Sequence, residues 1–172
     1  DPLFTAGQID RAQGLERIAE DGEPATLAAA LPGRSGVVSS GAFATPTGAS
    51  APSAIGPGGA YEFTIQASSG DRLSLATMFV PSNDLFFSPD GQGIALYQAS
   101  GAPVSGDVTS SLQLWDAGTE VNQEPGVGPD QVQRQSGANT GTSESRPVAL
   151  VSDGFMYPSV ASVIRVTVTP VR

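Results

Sequence analysis

The chain has 172 residues, with 8 basic side chains, all arginine, against 17 acidic ones, and a net charge of −9. The acidic balance argues against a nucleic-acid partner, because no basic patch is present to neutralise phosphates. The chain contains no His and no Cys, which excludes Ser-His-Asp and Cys-His catalysis, disulfides, and zinc sites made of histidine or thiolate.

The hydropathy of the chain and its first residues indicate whether the protein spans a membrane and whether it is processed. No apolar run approaches the roughly 20 residues that a membrane-spanning helix needs, so we expect no transmembrane segment. The chain starts at Asp1-Pro2 without an initiator Met or a signal peptide, and we expect a processed or trimmed form. The 21 Gly and 14 Pro residues favour short strands joined by loops.

The only helical pattern lies near the N-terminus, in GLERIAEDGEPATLAAALPG, residues 14–33. Leu15, Ile18 and Ala19 share one face, which predicts a first short helix with Glu16, Arg17 and Glu20 outside. A second short helix is predicted from about Pro24 to Leu31. Residues 33–59, rich in Gly, Ser, Ala, Pro and Thr, predict a long ordered loop with short strands.

From Tyr61 onward the pattern changes to the period of two that is typical of strands. AYEFTIQA, residues 60–67, and RLSLATMFV, residues 72–80, predict a hairpin around the turn SSGD. We expect Leu85 to Phe87 to lie in the core, and we expect four further short strands. These are residues 94–97, 112–115, 148–151 and the closing stretch VIRVTVTPVR.

Residues 120–146 are polar and rich in Gly and Pro, which indicates a long functional or disordered excursion. The whole pattern predicts an all-β fold, an antiparallel β-sandwich with a short helical insertion near the N-terminus.

Two acidic loops each follow a predicted strand. Asp84 comes after RLSLATMFVP, and Asp116 and Glu120 come after LQLW in the sequence LQLWDAGTEVNQEPG. If the strands are neighbours, the three carboxylates meet at one rim, where their repulsion calls for a cation or for protonation. Ca²⁺ suits such a site because it takes six to eight oxygen ligands, whereas Mg²⁺ demands a tighter octahedron.

A purely structural interpretation stays open at this point. An Asp after a strand often caps a turn through backbone N–H groups, and the pattern is not an EF-hand loop. We expect Asp90 and Asp107 to serve turns and Trp115 to pack in the core. Arg146 could pair with a loop carboxylate.

Three motifs together resemble the spondin domain, the N-terminal domain family of F-spondin and mindin that is also found in secreted microbial proteins. These are PSNDLFFSPDG at 81–91, LWDAGTEVNQEPG at 114–126 and FMYPSVASVIRVTV at 155–168. Animal members show a Pro-Ser-Pro-Asp-Trp-Phe stretch, an Asp-Ala-Gly-Thr-Asp loop and a final Tyr-Pro before an Ala-Arg-Val-Thr strand. The microbial type also resembles the front of this chain, so the resemblance covers nearly all of residues 1–172 as one domain.

The resemblance implies a C2-like β-sandwich with one bound calcium ion. By position, Asp84, Asp116 and Glu120 match the family's ligands, and Glu120 is the departure, because animal members carry Asp there. The family's first strand is expected to be absent from this chain, being either cleaved, outside the numbering or supplied by another chain. A missing strand would leave an open sheet edge for self-association.

The function expected from these features is a secreted, non-enzymatic, calcium-binding module for adhesion, matrix or extracellular assembly, with a matrix or cell-surface partner. One alternative is a structural subunit of an extracellular filament or sheath that assembles by strand donation. A further alternative is a carboxylate-based glycan hydrolase, which needs two carboxylates in a cleft.

Overall fold

The fold is β-rich, with few helices and with antiparallel pairing at every strand ladder of the described residues. The structure, a computed structural model, describes residues 2–171. The helices are α1 (Leu15–Asp21), α2 (Ala25–Ala30) and α3 (Val160–Val163), with a 3₁₀ turn at Thr109–Ser111. The strands are β1 (Arg72–Leu73), β2 (Thr77–Met78), β3 (Leu85–Pro89), β4 (Ile94–Ala95), β5 (Gly106–Asp107), β6 (Leu112–Asp116), β7 (Ala149–Leu150) and β8 (Thr167–Val168).

A four-stranded sheet in the order β2-β3-β6-β7 forms the centre of the molecule. Its inner pair, β3 and β6, runs in register from Leu85 opposite Asp116 to Pro89 opposite Leu112. Every residue of β3 is buried, so this strand needs apolar side chains on both faces. The predicted strands at 112–115 and 148–151 are confirmed as β6 and β7, and β7 is the edge strand of the sheet.

One face of this sheet packs against α1. Phe86 and Trp115, which are paired across β3 and β6, contact the N-terminal segment, and the ring centroids of Phe4 and Trp115 are 4.9 Å apart. The predicted apolar face of α1 is confirmed by the buried Leu15, Ile18 and Ala19. The cluster also includes the buried residues Leu3, Leu27, Leu31, Ala117 and Val148.

The opposite face of the sheet has its own apolar cover. Leu85, Phe87 and Leu114 alternate with the residues that face α1, as a pleated strand requires, and they form a cluster with Phe79. Partly buried residues from the C-terminal region close it, namely Val151, Tyr157, Val160 and Ile164. The central sheet is therefore apolar on both faces.

Two small sheets flank the central one. β1 pairs with β4, and β5 pairs with β8. A third apolar cluster of Leu75, Ile94 and Leu112 joins them to the end of β6. The closing stretch is shorter than predicted, because α3 occupies residues 160–163 and only residues 167–168 form a strand.

The predicted hairpin of residues 60–67 with 72–80 is wrong. Residues 72–80 split into β1 and β2, which use their ladder hydrogen bonds on β4 and β3. Residues 62–66 form no strand in the described structure, and an open groove separates this segment from residues 72–80. The alternation of apolar and polar residues in 60–67 is typical of a strand, but the strands within residues 72–80 pair with β4 and β3 and not with this segment.

The two polar stretches differ in their outcome. Residues 33–59 form a loop as predicted, but the described residues there contain only an isolated bridge, Pro46 with Tyr61, and no strand. Residues 120–146 are an ordered excursion, with a bridge between Glu120 and Ser143 and a fully buried Gln131. Among the described residues, no helix has both the length and the apolar character needed to cross a membrane.

Candidate cation site at the strand ends

Asp84 and Asp116 lie at adjacent ends of the two inner strands. Asp84 directly precedes β3 and Asp116 is the last residue of β6, where Leu85 is its register partner. The backbone N–H of Ala117 donates to the Asp84 carbonyl at 3.1 Å, which extends the ladder by one step. The two acids therefore meet at one rim as expected, but by another route. The predicted strand at residues 72–80 does not neighbour β6, and it is β3, which follows Asp84, that pairs with β6.

Asp84 is fully buried, at 0% exposure, yet half of its carboxylate has no partner. Oδ2 accepts hydrogen bonds from the backbone N–H groups of Thr119 and Glu120, each at 3.1 Å. Oδ1 is buried without any hydrogen bond. Burial, followed by the nearby charge of Asp116, raises the pKa of Asp84 to about 7.

Asp116 is buried and organises the loop that follows β6. Its Oδ1 accepts from the Gly118 N–H at 2.7 Å, which is the turn-capping bond expected of an Asp at a strand end. Its Oδ2 accepts from the Asn122 amide at 2.8 Å. The other end of that amide, Asn122 Oδ1, is buried and has no partner.

Glu120 is also buried, but other groups hold its carboxylate. Oε1 accepts from the Gly141 N–H at 2.9 Å, and Oε2 accepts from the Asn83 amide at 3.3 Å. Burial raises the pKa of Glu120, while these two hydrogen bonds oppose the rise. Glu120 and Asp116 each accept one hydrogen bond on each carboxylate oxygen, so Asp84 is the one predicted ligand with an oxygen that has no hydrogen bond.

The three predicted acids do not form a single cage. Within the described residues, no group of three or more acidic side chains is arranged so that it could hold a metal ion. Asp84 is the common member, since the charges of both Asp116 and Glu120 raise its pKa.

Glu20 is a fourth buried carboxylate. The prediction that its side chain lies on the outer, solvent-exposed face of α1 is therefore wrong. Its exposure is 2%, and it accepts a hydrogen bond from the Thr119 hydroxyl at 2.8 Å. The Asn139 amide can donate to it at 2.8 Å. Burial, together with the charges of Glu120, Glu16 and Asp84, raises the pKa of Glu20 to about 8, against the lowering effect of the Thr119 bond.

Glu20 is buried by residues that lie outside α1. The excursion of residues 120–146 folds over α1, where Gln135 also donates to Asp21 at 2.8 Å. The helical period identifies the face that meets the sheet, but it carries no signal for a loop that covers another face. Asn122 was missed for a similar reason, because its role depends on where the loop after Asp116 leads.

Gly118 is the residue at which the loop after β6 curls. Its φ is +71°, a left-handed conformation that glycine adopts without strain. A Cβ at this position would lie 2.3 Å from the Arg146 carbonyl oxygen. The loop therefore curls because Gly118 permits both the conformation and the close approach of the returning chain.

The remaining candidates behave as expected. Asp90 and Asp107 each accept a hydrogen bond from a backbone N–H two residues on, at 2.9 and 2.8 Å, as turn residues do. Trp115 is buried and donates to the Ser88 carbonyl at 3.1 Å. Arg146 forms an ion pair with Glu144 at 3.7 Å on the surface.

The oxygen atoms without partners define the chemistry available here. Asp84 Oδ1 and Asn122 Oδ1 are buried acceptors next to a pair of like-charged carboxylates. A proton can relieve this repulsion, and so can a hard cation, which prefers carboxylate and amide oxygens. These donors are all oxygen atoms, which is the type of ligand that Ca²⁺ binds.

Comparisons of this chain with protein-family models, with curated proteins and with solved structures gave no significant match. The resemblance to the spondin domain therefore stays a prediction from the motifs.

Proposed function

We propose that this chain is a secreted, non-enzymatic, calcium-binding β-sandwich module of the spondin type, which serves adhesion, matrix or extracellular assembly. The observation that carries the proposal is the buried pair of Asp84 and Asp116, with an unpartnered carboxylate oxygen on Asp84. Calcium would be held by Asp84 and Asp116, with Asn122 as an additional oxygen donor. Glu120 would contribute after giving up one of its present hydrogen bonds.

The electrostatics favour a bound cation near neutral pH. A buried carboxylate without a counter-charge is costly, and Asp84 responds with a pKa of about 7. Above that pH the site holds two like charges unless a cation joins them. A divalent ion with oxygen ligands would satisfy Asp84 Oδ1 and remove the repulsion in one step.

The C2-like sandwich in this proposal is supported by the two apolar faces of the central sheet. One face is covered by α1 and the N-terminal segment, and the other by the C-terminal region. Cover on both sides is what a layered β domain requires.

The non-enzymatic assignment is supported by the burial of the acids. A glycan hydrolase, the alternative of this class, needs two carboxylates that reach a substrate cleft. None of Asp84, Asp116 and Glu120 lines the open groove bordered by residues 60–67 and 70–81, so these three acids do not reach a substrate there. The carboxylates that line it are Asp21, Glu23, Glu62 and Asp71.

We expect calcium to raise the melting temperature relative to the same protein in EDTA, because an ion that binds only the native state stabilises it by mass action. Differential scanning calorimetry with and without the ion measures this shift. Asp116→Ala should abolish the calcium-dependent part. Asp107→Ala is the matched control, since Asp107 caps an exposed turn elsewhere, and it should keep the full shift.

An equal melting temperature in calcium and in EDTA for the wild type would refute the calcium site. A calcium shift that survives in Asp116→Ala would place the ion elsewhere on this acidic surface.

The structural subunit of an extracellular filament or sheath remains a second candidate. The observation that favours it is the segment 62–66, whose backbone makes no hydrogen bond in the described structure. Such an edge accepts a strand from another chain. A filament requires head-to-tail contacts that do not close, whereas a two-fold contact ends at a dimer.

A further inference from the structure

Residues 61–66 have the sequence of a strand, but apart from the isolated bridge of Tyr61 with Pro46 the described structure gives them no strand pairing. Tyr61, Phe63 and Ile65 alternate with Glu62, Thr64 and Gln66. The N–H and C=O groups of residues 62–66 make no hydrogen bond with any other described residue. Phe63 is 44% exposed and Ile65 is 39% exposed. Both the ladder groups and the apolar face of this segment are therefore available to a partner.

The segment is held in place from one side. Phe63 stacks on Phe43 with ring centroids 4.9 Å apart and an interplanar angle of 21°. Tyr61 meets Phe43 edge-on at 5.9 Å, and its hydroxyl donates to the Ser53 carbonyl at 2.7 Å. A segment that such contacts already hold loses less conformational entropy when a partner strand adds to it than a free segment does.

We propose that the partner is the same segment of a second copy, paired antiparallel about a two-fold axis at Phe63. This register places Phe63 opposite Phe63, Tyr61 opposite Ile65, and Glu62 opposite Thr64. Antiparallel partners share a face, so the apolar side chains of both copies meet on one side of the new ladder. Aromatic pairs and aromatic–β-branched pairs are favourable cross-strand neighbours.

Charge favours this register despite the net charge of −9 on each copy. Glu62 is the only charged residue of the segment, and like charges directly opposite each other destabilise a ladder. The two-fold at Phe63 places each Glu62 opposite a neutral Thr64. The segment also lacks Pro, Lys and Arg, which commonly protect exposed edges from pairing. The pairing involves none of the proposed calcium ligands and does not depend on the ion.

The test is the oligomeric state in solution, measured by analytical ultracentrifugation over a wide range of concentration. The wild type should associate to a dimer. Phe63→Glu should be monomeric, because it places two like charges face to face at the axis. Phe155→Glu is the matched control, as Phe155 has a similar exposure of 38% and lies in another loop, and this variant should still dimerise.

Thr64→Pro separates this pairing from the internal hairpin with residues 72–80. The Thr64 N–H has no partner among the described residues, so this variant should melt at the temperature of the wild-type monomer at high dilution. A lower melting temperature for Thr64→Pro under those conditions would show that the segment pairs internally, and it would overturn the proposal.

The absence of native cysteine permits a direct check of the register. Directly opposed residues of an antiparallel pair come within the Cα separation that a disulfide spans. Phe63→Cys should therefore oxidise to a covalent dimer, and Phe155→Cys should not. A wild type that stays monomeric at the highest soluble concentration, or equal crosslinking of the two cysteine variants, would refute the two-fold contact.

Discussion

Single residues decide how the two acidic loops are built. Asp84 and Asp116 are neighbours because the strands that carry them pair, whereas Gly118 allows the chain to turn back beside Arg146. The buried acceptors that lack a partner, such as Asp84 Oδ1, are the atoms at which a proton or a cation changes the energy most.

Replacing Gly118 by Ala should be costly for two separable reasons. The left-handed φ of +71° costs an L-residue about 1 kcal/mol, and the new Cβ would lie 2.3 Å from the Arg146 carbonyl oxygen. We expect a total loss of about 2–4 kcal/mol in the free energy of unfolding, measured with urea.

Gly126→Ala is the matched control for Gly118→Ala. Gly126 has a similar φ of +78°, but a Cβ there would meet no atom within 4 Å. It should therefore show only the conformational part of the loss, about 1 kcal/mol. Equal losses for the two variants would mean that the approach of Arg146 does not constrain the loop.

At the scale of elements, α1 stabilises the molecule by covering one face of β3 and β6. Its buried side chains fit against Phe86, Trp115 and Phe4, and the excursion of residues 120–146 covers its other side. A helix of seven residues is not stable by itself in water, so it depends on this packing.

Leu15→Ala should lower the free energy of unfolding by about 2–5 kcal/mol, because it leaves a cavity in a close-packed cluster. Leu15 is 1% exposed and lies between the helix and the sheet. Leu150→Ala, at 49% exposure on the edge strand β7, should cost less than about 1 kcal/mol. Chemical denaturation of both variants tests the contrast, and similar losses would show that α1 is only loosely attached.

At the scale of the whole molecule, the buried acids couple folding to pH. The pKa of Asp84 is about 7 and that of Glu20 is about 8 in the folded protein, whereas unfolded carboxyl groups titrate near pH 4. Between these values the folded state binds more protons than the unfolded state. The free energy of unfolding should therefore fall as the pH rises from about 4 to about 8.

Glu20→Gln isolates one contribution to this pH dependence. In EDTA, the wild type should lose stability between about pH 5 and about pH 9, and Glu20→Gln should reduce that loss by about 1–2 kcal/mol. Exposed Glu62→Gln serves as the control and should leave the dependence unchanged. Urea unfolding at the two pH values measures it, and an unaltered slope in Glu20→Gln would show that Glu20 is not the titrating group.

Local periodicity and turn chemistry were sufficient to predict much of this protein. They identified α1 with its buried apolar face, the strands β6 and β7, and the turn roles of Asp90 and Asp107. These features depend on interactions between residues close in sequence, or on an apolar pattern that has one physical solution. Asp84 lies beside Asp116 for a reason that the pattern did not contain, because it directly precedes β3, and β3 rather than β2 pairs with β6.

The tertiary structure alone decided which strands pair and which faces are covered. Residues 62–66 have a clear strand pattern but no strand partner among the described residues, whereas residues 72–80 pair with β3 and β4. Glu20 is buried by a loop that follows it by a hundred residues. Hydrogen-bond partners and burial of this kind depend on long-range contacts, whereas a short sequence pattern records only how a segment would behave if its partner were present.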